Sequence, residues 1–256
     1  MAKSKDDGPE RTLDTPLAAS SRADEITDRL ITAIAVGEYL PGARLPSERD
    51  LAESLHVGRM TVRTAIGRLV DQGLLATQRG RAGGSFVREQ WTDASNASVQ
   101  RTLTSRWESL RDTCEAMVQL HGAIARAAAE NRNAADAAVL RERLDAYRAA
   151  ESGRASQKAD ARLHLAIAEA SHNLTLTRIL LELEAQIGLG APAHLWGFPE
   201  GMQEMELRAL ADHERLVEAI CGQRPAEAAT IGVMHARIDI ELLEAALTRA
   251  GAEAGS

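Results

Sequence analysis

GEYLPGARLPSERDLAESLHVGRMTVRTAIGRLVDQGLL, residues 37–75, followed by RGRAGGSFV at 79–87, is the stretch from which the fold can be read. Upstream of it, Ile26, Leu30, Ile31 and Ile34 recur at three and four residues, predicting a helix from Ala23 that stops at Gly37. Pro41-Gly42 marks a turn. Ser47 before Glu48-Arg49-Asp50 reads as an N-cap with an acid three residues on, so a short helix through Leu51, Ala52 and Leu55 follows. After a tight turn at His56-Val57-Gly58, a third helix runs from Arg59 to Gln72, buries Val62, Ala65, Ile66, Leu69 and Val70, and ends at Gly73. Leu74–Gln78 and Ser85–Arg88 read as strands joined by a glycine-rich tip. Three short helices and a hairpin make a winged helix-turn-helix.

Working outward, residues 1–19 mix charges, prolines and small polar residues without periodicity and read as a disordered arm. The winged unit occupies 20–89, and the polar stretch 90–103 (QWTDASNASVQRTL) reads as a linker. From 104 to 250 the chain is rich in Ala and Leu. Helices are expected at 104–130, 134–152, 156–172, 174–190, 202–222 and 226–249, with short breaks that imply an antiparallel bundle. With 45% hydrophobic and 3% aromatic residues, the class is mostly α, helix packed on helix. No apolar run of about 18 residues suggests a membrane span, and residues 1–14 have no secretory apolar stretch, so the expected location is the cytoplasm. Cys114 and Cys221 lie inside apolar helical patterns and read as reduced core thiols.

The net charge of −7 is unevenly spread: residues 90–256 carry seventeen basic and twenty-four acidic groups, whereas 55–88 carry six arginines against Asp71 alone. A local positive patch is what a polyanion meets. Arg59 and Arg63 are four apart, hence on one face of the third helix, and Thr61 lies at the end that enters a major groove. Arg49 begins the preceding helix, and Arg79 and Gly80 stand at the wing tip with Arg81, Gly83 and Gly84. Guanidinium pairs with phosphate or with guanine O6 and N7, so the ensemble implies operator double-stranded DNA as a partner.

In the bundle, Asp160 and His164 are four apart on one helix, while His213 and His235 each sit on another. Converged, one carboxylate and three imidazoles suit Zn²⁺ or Ni²⁺, with Mn²⁺ as a further candidate. On spacing alone the same residues read equally as core histidines and a chance pair.

The dense run 37–75 with its wing resembles the DNA-binding domain of the GntR family of bacterial transcription regulators, through Gly37, Pro41-Gly42, Leu45 to Arg49, Leu51-Ala52, Thr61-Val62-Arg63, Leu69 and Gly73. The resemblance implies operator contacts by Arg49, Arg59, Arg63 and Gly80. The chain departs from the pattern at Gly58, where the family more often has a hydroxyl residue. The bundle resembles the FCD domain of the FadR subfamily through Asp160-x-x-x-His164, Ala170-Ser171-x-Asn173, His213 and Met234-His235. That resemblance implies a metal at Asp160, His164, His213 and His235 in the floor of an effector cavity. Where FCD domains commonly carry Arg and, four residues on, Glu, this chain has Met117 and His121. His121 is either a pocket residue or a buried one; His121 and Asn173 are assigned to the effector pocket.

The expectation is a homodimeric, ligand-responsive regulator, a repressor of a metabolic operon, whose effector is a small organic acid or sugar acid. A metal-dependent hydrolase in the bundle and an architectural DNA-binding protein without effector are the alternatives.

Overall fold

A computed structural model describes residues 22–80, 83–187 and 199–253. The expected arm 1–19, together with Arg81, His194 and Trp196, lies outside the described residues. In chain order the winged unit comprises α1 (Arg22–Ala35), α2 (Glu48–Ser54), α3 (Arg59–Asp71), β1 (Leu75–Gln78) and β2 (Gly84–Val87). Local chemistry explains each boundary. The Ser47 hydroxyl accepts from the Asp50 amide at 3.2 Å and starts α2. Gly73, at φ +75°, ends α3: its amide donates to Val70 and that of Leu74 to Leu69, closing a Schellman turn. The hairpin pairs Leu75 with Val87 and Gln78 with Gly84. Its tip needs glycine, since a Cβ on Gly83 would lie 2.4 Å from the Gln78 carbonyl. Residues 42–45 line β2, with the Gly42 and Leu45 amides donating to the Val87 and Ser85 carbonyls, both at 2.9 Å.

The stretch expected as a linker is instead helical from Asp93. It forms the first turns of α4 (Asp93–Asn131), which at 39 residues is the longest described helix. Its small polar residues misled because their polarity is satisfied inside the protein. Thr92 and Ser95 cap the helix reciprocally, the Ser95 hydroxyl donates to the Gln72 carbonyl at 2.8 Å, and Val99 and Leu103 are buried between them and the winged unit. The bundle continues through α5 (Ala134–Arg148), α6 (Arg154–Ala170), α7 (Leu174–Ile187), α8 (Pro199–Cys221) and α9 (Pro225–Glu253).

The most extensive helix contact runs along α4 and α9. These helices are antiparallel, because a Cβ on Gly251 would meet Gln100 and one on Gly232 would meet His121. They approach closely: a Cβ on Gly122 would lie 2.6 Å from Val233 Cγ2. One apolar core fills the bundle between α4, α6, α8 and α9. A second begins under α1–α3 with Leu30, Ile31 and Leu69 and runs without a break into Leu103, Leu110 and Cys114 of α4 and Leu243 of α9. Trp107 packs against this second core, and the Arg106 guanidinium donates to Thr32 of α1 at 3.0 Å. The winged unit is thus seated on the bundle through a shared core. Cys114 is buried and Cys221 half-buried, both as free thiols. Among the described residues no helix is long and apolar enough to cross a membrane.

Candidate metal centre and DNA-reading surface

The i, i+4 spacing on α6 brings Asp160 and His164 to one face, as the sequence predicts. His213 from α8 and His235 from α9 meet them there. The Nε2 atoms of His164 and His213 are 3.0 Å apart, those of His213 and His235 3.0 Å, and those of His235 and His164 3.2 Å. Asp160 Oδ1 lies 3.4 Å from His213 Nε2 and 3.7 Å from His164 Nε2. All four side chains are buried, none more than 4% exposed.

The donor set fits a divalent cation on two counts. In a neutral imidazole each ring nitrogen is either a donor or an acceptor, so three Nε2 atoms aimed at one another cannot make all three contacts hydrogen bonds. A shared cation removes that conflict. The spacing is also right: a tetrahedral site with Zn–N distances of about 2.0–2.1 Å separates its donors by about 3.3 Å.

The surrounding residues fix the rings. Asp212 Oδ2 lies 3.6 Å from His235 Nδ1. The nearby His235 ring holds the Asp212 carboxyl below the ordinary carboxylate range, against the opposing effect of burial. A carboxylate on Nδ1 leaves the Nε2 lone pair facing the centre. Tyr147 of α5 stands edge-on to His213, ring centres 4.8 Å apart, and burial pushes its phenol well above its usual value. Neither residue was found by reading the sequence. For Asp212 a signal existed, an acid directly before His213; for Tyr147 there was none. His121 of α4 is 7% exposed and stands edge-on to His164 at 5.5 Å, so it borders the four-residue cluster. Met117 is buried one turn earlier. Asn173, expected in the effector pocket, does not join the cluster. It is exposed, and its Oδ1 accepts from the Thr175 and Leu176 amides at 3.1 and 3.2 Å, capping α7.

On the winged unit, Val62, Ala65, Ile66 and Leu69 anchor α3, which leaves Arg59, Met60, Arg63, Thr64 and Gly67 facing out; Thr61 is half-buried. Gly58 begins α3 with no side-chain cap. Arg63 pairs with Glu48 of α2 at 2.7 Å and remains 61% exposed; Arg49 pairs with Asp50 at 3.2 Å and is 69% exposed. Arg79 is exposed at the end of the wing strand, and Gly80 adopts φ +111° with open space where a Cβ would stand. Arg68 belongs elsewhere: it pairs with Asp24 and ties α3 to α1.

An arginine-faced helix anchored in a winged helix-turn-helix, seated on a helical bundle with a buried cluster of one aspartate and three histidines, defines a DNA-binding transcription regulator. Residues 22–87 match the family described as "Bacterial regulatory proteins, gntR family". Residues 112–238 match the FCD domain. The putative HTH-type transcriptional regulator RmpR of Mycobacterium gastri is 33% identical over 221 residues, which cover 86% of this chain and 79% of that protein. The chain belongs to the GntR family and carries an FCD domain. Among further relatives, the putative L-lactate dehydrogenase operon regulatory protein of Escherichia coli K12 is 34% identical over 162 residues, 62% of each chain. The galactonate operon transcriptional repressor of the same organism is 29% identical over 170 residues, 64% of this chain and 73% of that one. Of solved structures, E. coli McbR/YncC aligns over 89% of this chain and 99% of its own at a TM-score of 0.46 and 21% identity. The relatives are regulators, and the hydrolase reading gains no support from them.

Proposed function

We propose that the chain represses a metabolic operon as a homodimer, binding a pseudo-palindromic operator through α3 and the wing and releasing it in response to a small hydroxy acid or sugar acid. In this reading Arg59 and Arg63 contact base edges and phosphates in the major groove, Thr61 and Arg49 support them, and Arg79 and Gly80 follow the backbone beside the groove. Asp160, His164, His213 and His235 hold a divalent metal, zinc or nickel in preference to manganese because three of the four donors are imidazoles. When bound, that ion supplies a Lewis-acid site for a carboxylate and a neighbouring hydroxyl. The names of the lactate and galactonate operon regulators point to effectors of that kind. His121, bordering His164, takes part in the effector pocket, and Met117 leaves the pocket without the arginine other FCD domains use there.

The observation that carries the reading is the convergence of three imidazole Nε2 atoms to within 3.2 Å beside a buried carboxylate, in a domain joined through one core to an arginine-faced helix. The test is operator selection from random duplexes, followed by a mobility-shift titration at physiological salt with and without hydroxy and sugar acids. Specific retardation relieved by one of these acids is the expected result. Absence of any specific retardation overturns the reading.

A further inference from the structure

The loop that leaves α1 does not rest only on the winged unit. The Gln157 side-chain amide of α6 donates to the Gly37 and Glu38 carbonyls at 3.3 and 3.2 Å. Three residues farther along, one turn of the same helix, stands Asp160, with His164 one turn beyond it. Leu40 of the loop enters a small apolar cluster with Tyr147, Ala159, Met202 and Met205. Gly153, at φ +87°, flanks it: a Cβ there would stand in ordinary contact, 3.7 Å from Leu40 Cδ1 and 3.9 Å from Met202 Cε. Tyr147 in turn stands against His213. Downstream, the loop passes directly into residues 42–45, whose backbone bonds to Ser85 and Val87 hold the wing strand β2.

We infer that Gln157 is a positioning residue for operator binding: it clamps the 37–42 loop to the helix that carries Asp160 and His164, so that occupancy of the metal centre sets the placement of the wing. The inference rests on the metal and operator reading given above. Its physical basis is that α6 is a rigid rod over one turn, about 1.5 Å of rise per residue. A shift of Asp160 and His164 as the four donors gain or lose a shared cation is therefore delivered to the Gln157 amide. The loop cannot absorb the shift freely, because Gly37 and Glu38 accept from the bundle while Glu38, Gly42 and Leu45 donate within the winged unit. The other described side-chain hydrogen bonds between bundle and winged unit, Arg106 to Thr32 and Ser95 to Gln72, come from α4, which carries none of the four donors, while Leu243 of α9 adds an apolar contact two turns from His235. These contacts seat the winged unit as a whole, whereas the Gln157 bonds fall on the loop that leads into the wing.

The test uses the full chain, stripped with chelator or loaded with Zn²⁺ alone, on a selected operator. In the wild type, loading changes operator affinity by at least about fivefold, the lower end of ordinary allosteric coupling. Gln157→Glu turns the donor into a carboxylate facing two carbonyls. It is expected to bind Zn²⁺ as the wild type does and to melt a few degrees lower, having lost two hydrogen bonds, yet change operator affinity by less than about twofold on loading. A second measurement needs no variant: hydrogen exchange of the Gly42, Leu45 and Val87 amides in the wild type should quicken on chelation. Equal metal dependence in wild type and Gln157→Glu, or exchange unmoved by chelation, overturns the clamp. Zn²⁺ binding and operator binding that are both present but blind to one another also overturn it and leave the functional reading standing. A wild type without any specific operator removes that reading instead.

Discussion

Replacing His213 by leucine is the sharpest single perturbation of the centre. Its Nε2 lies 3.0 Å from those of both His164 and His235 and 3.4 Å from Asp160 Oδ1, and its side chain is fully buried. It is thus the donor with a close approach to all three others, and leucine fills a similar volume without offering a lone pair. If the wild type holds its metal at a free concentration 100-fold above the dissociation constant, binding stabilises the fold by about 2.7 kcal/mol. For a chain of about 150–250 residues each kcal/mol moves the melting temperature by about 2–4 °C, so chelation should lower it by about 5–11 °C. Lower pH acts in the same direction, since protons compete with metal for the imidazole lone pairs. The assay is a thermal melt of wild type and His213→Leu, each with and without chelator, beside elemental analysis of the purified protein. The wild-type difference should disappear in the variant, whose two melting curves coincide. A wild type indifferent to chelation, or a variant that keeps its metal and its shift, refutes the assignment of these residues as ligands.

Asp212→Asn should weaken metal binding by about 10- to 100-fold in calorimetric titration while the circular dichroism stays that of the wild type, because only the orientation of His235 is lost. Arg59→Ala should flatten the preference among selected operators, whereas Arg79→Ala should weaken all duplexes alike and reduce the salt slope by about 0.9 per lost phosphate contact. Met60, 66% exposed in the arginine-lined face of α3, offers that face its apolar surface; replacing each operator thymine in turn by deoxyuridine should cost the wild type about threefold to fivefold at one position and cost Met60→Ala nothing there. Gly122→Ala should destabilise the chain by about 1–3 kcal/mol in denaturant melts, as its methyl would stand 2.6 Å from Val233 Cγ2 across the α4–α9 contact.

The winged unit was legible because its decisive signals are local. Ser47 before Glu48-Arg49-Asp50, Gly73 after Gln72 and the glycines of the wing tip each determine a backbone event within a few residues, and the structure puts a cap, a Schellman turn and a hairpin there. The error at 90–103 arose where the deciding contacts are distant: Ser95 reaches Gln72, twenty-three residues away, and a polar segment that would be a linker in water becomes helix against that surface. Asn173, assigned to the effector pocket through the resemblance, caps α7 with its Oδ1, a local role that the sequence also signals.

The same distinction separates the two halves of the switch. Holding a metal would demand residue types that apolar cores otherwise exclude, but spacing alone is a weak signal for Asp160, His164, His213 and His235 among the chain's seven histidines, and the FCD resemblance is what sets these four apart. Transmitting the state of that metal demands nothing unusual. An amide that meets two carbonyls 119 and 120 residues away is an ordinary glutamine in sequence, and only the fold brings it there. A variant with all four donors intact and Gln157 replaced would therefore look, by sequence, like a fully competent sensor. If the clamp operates as inferred, it would bind its metal and its operator and fail only to connect them.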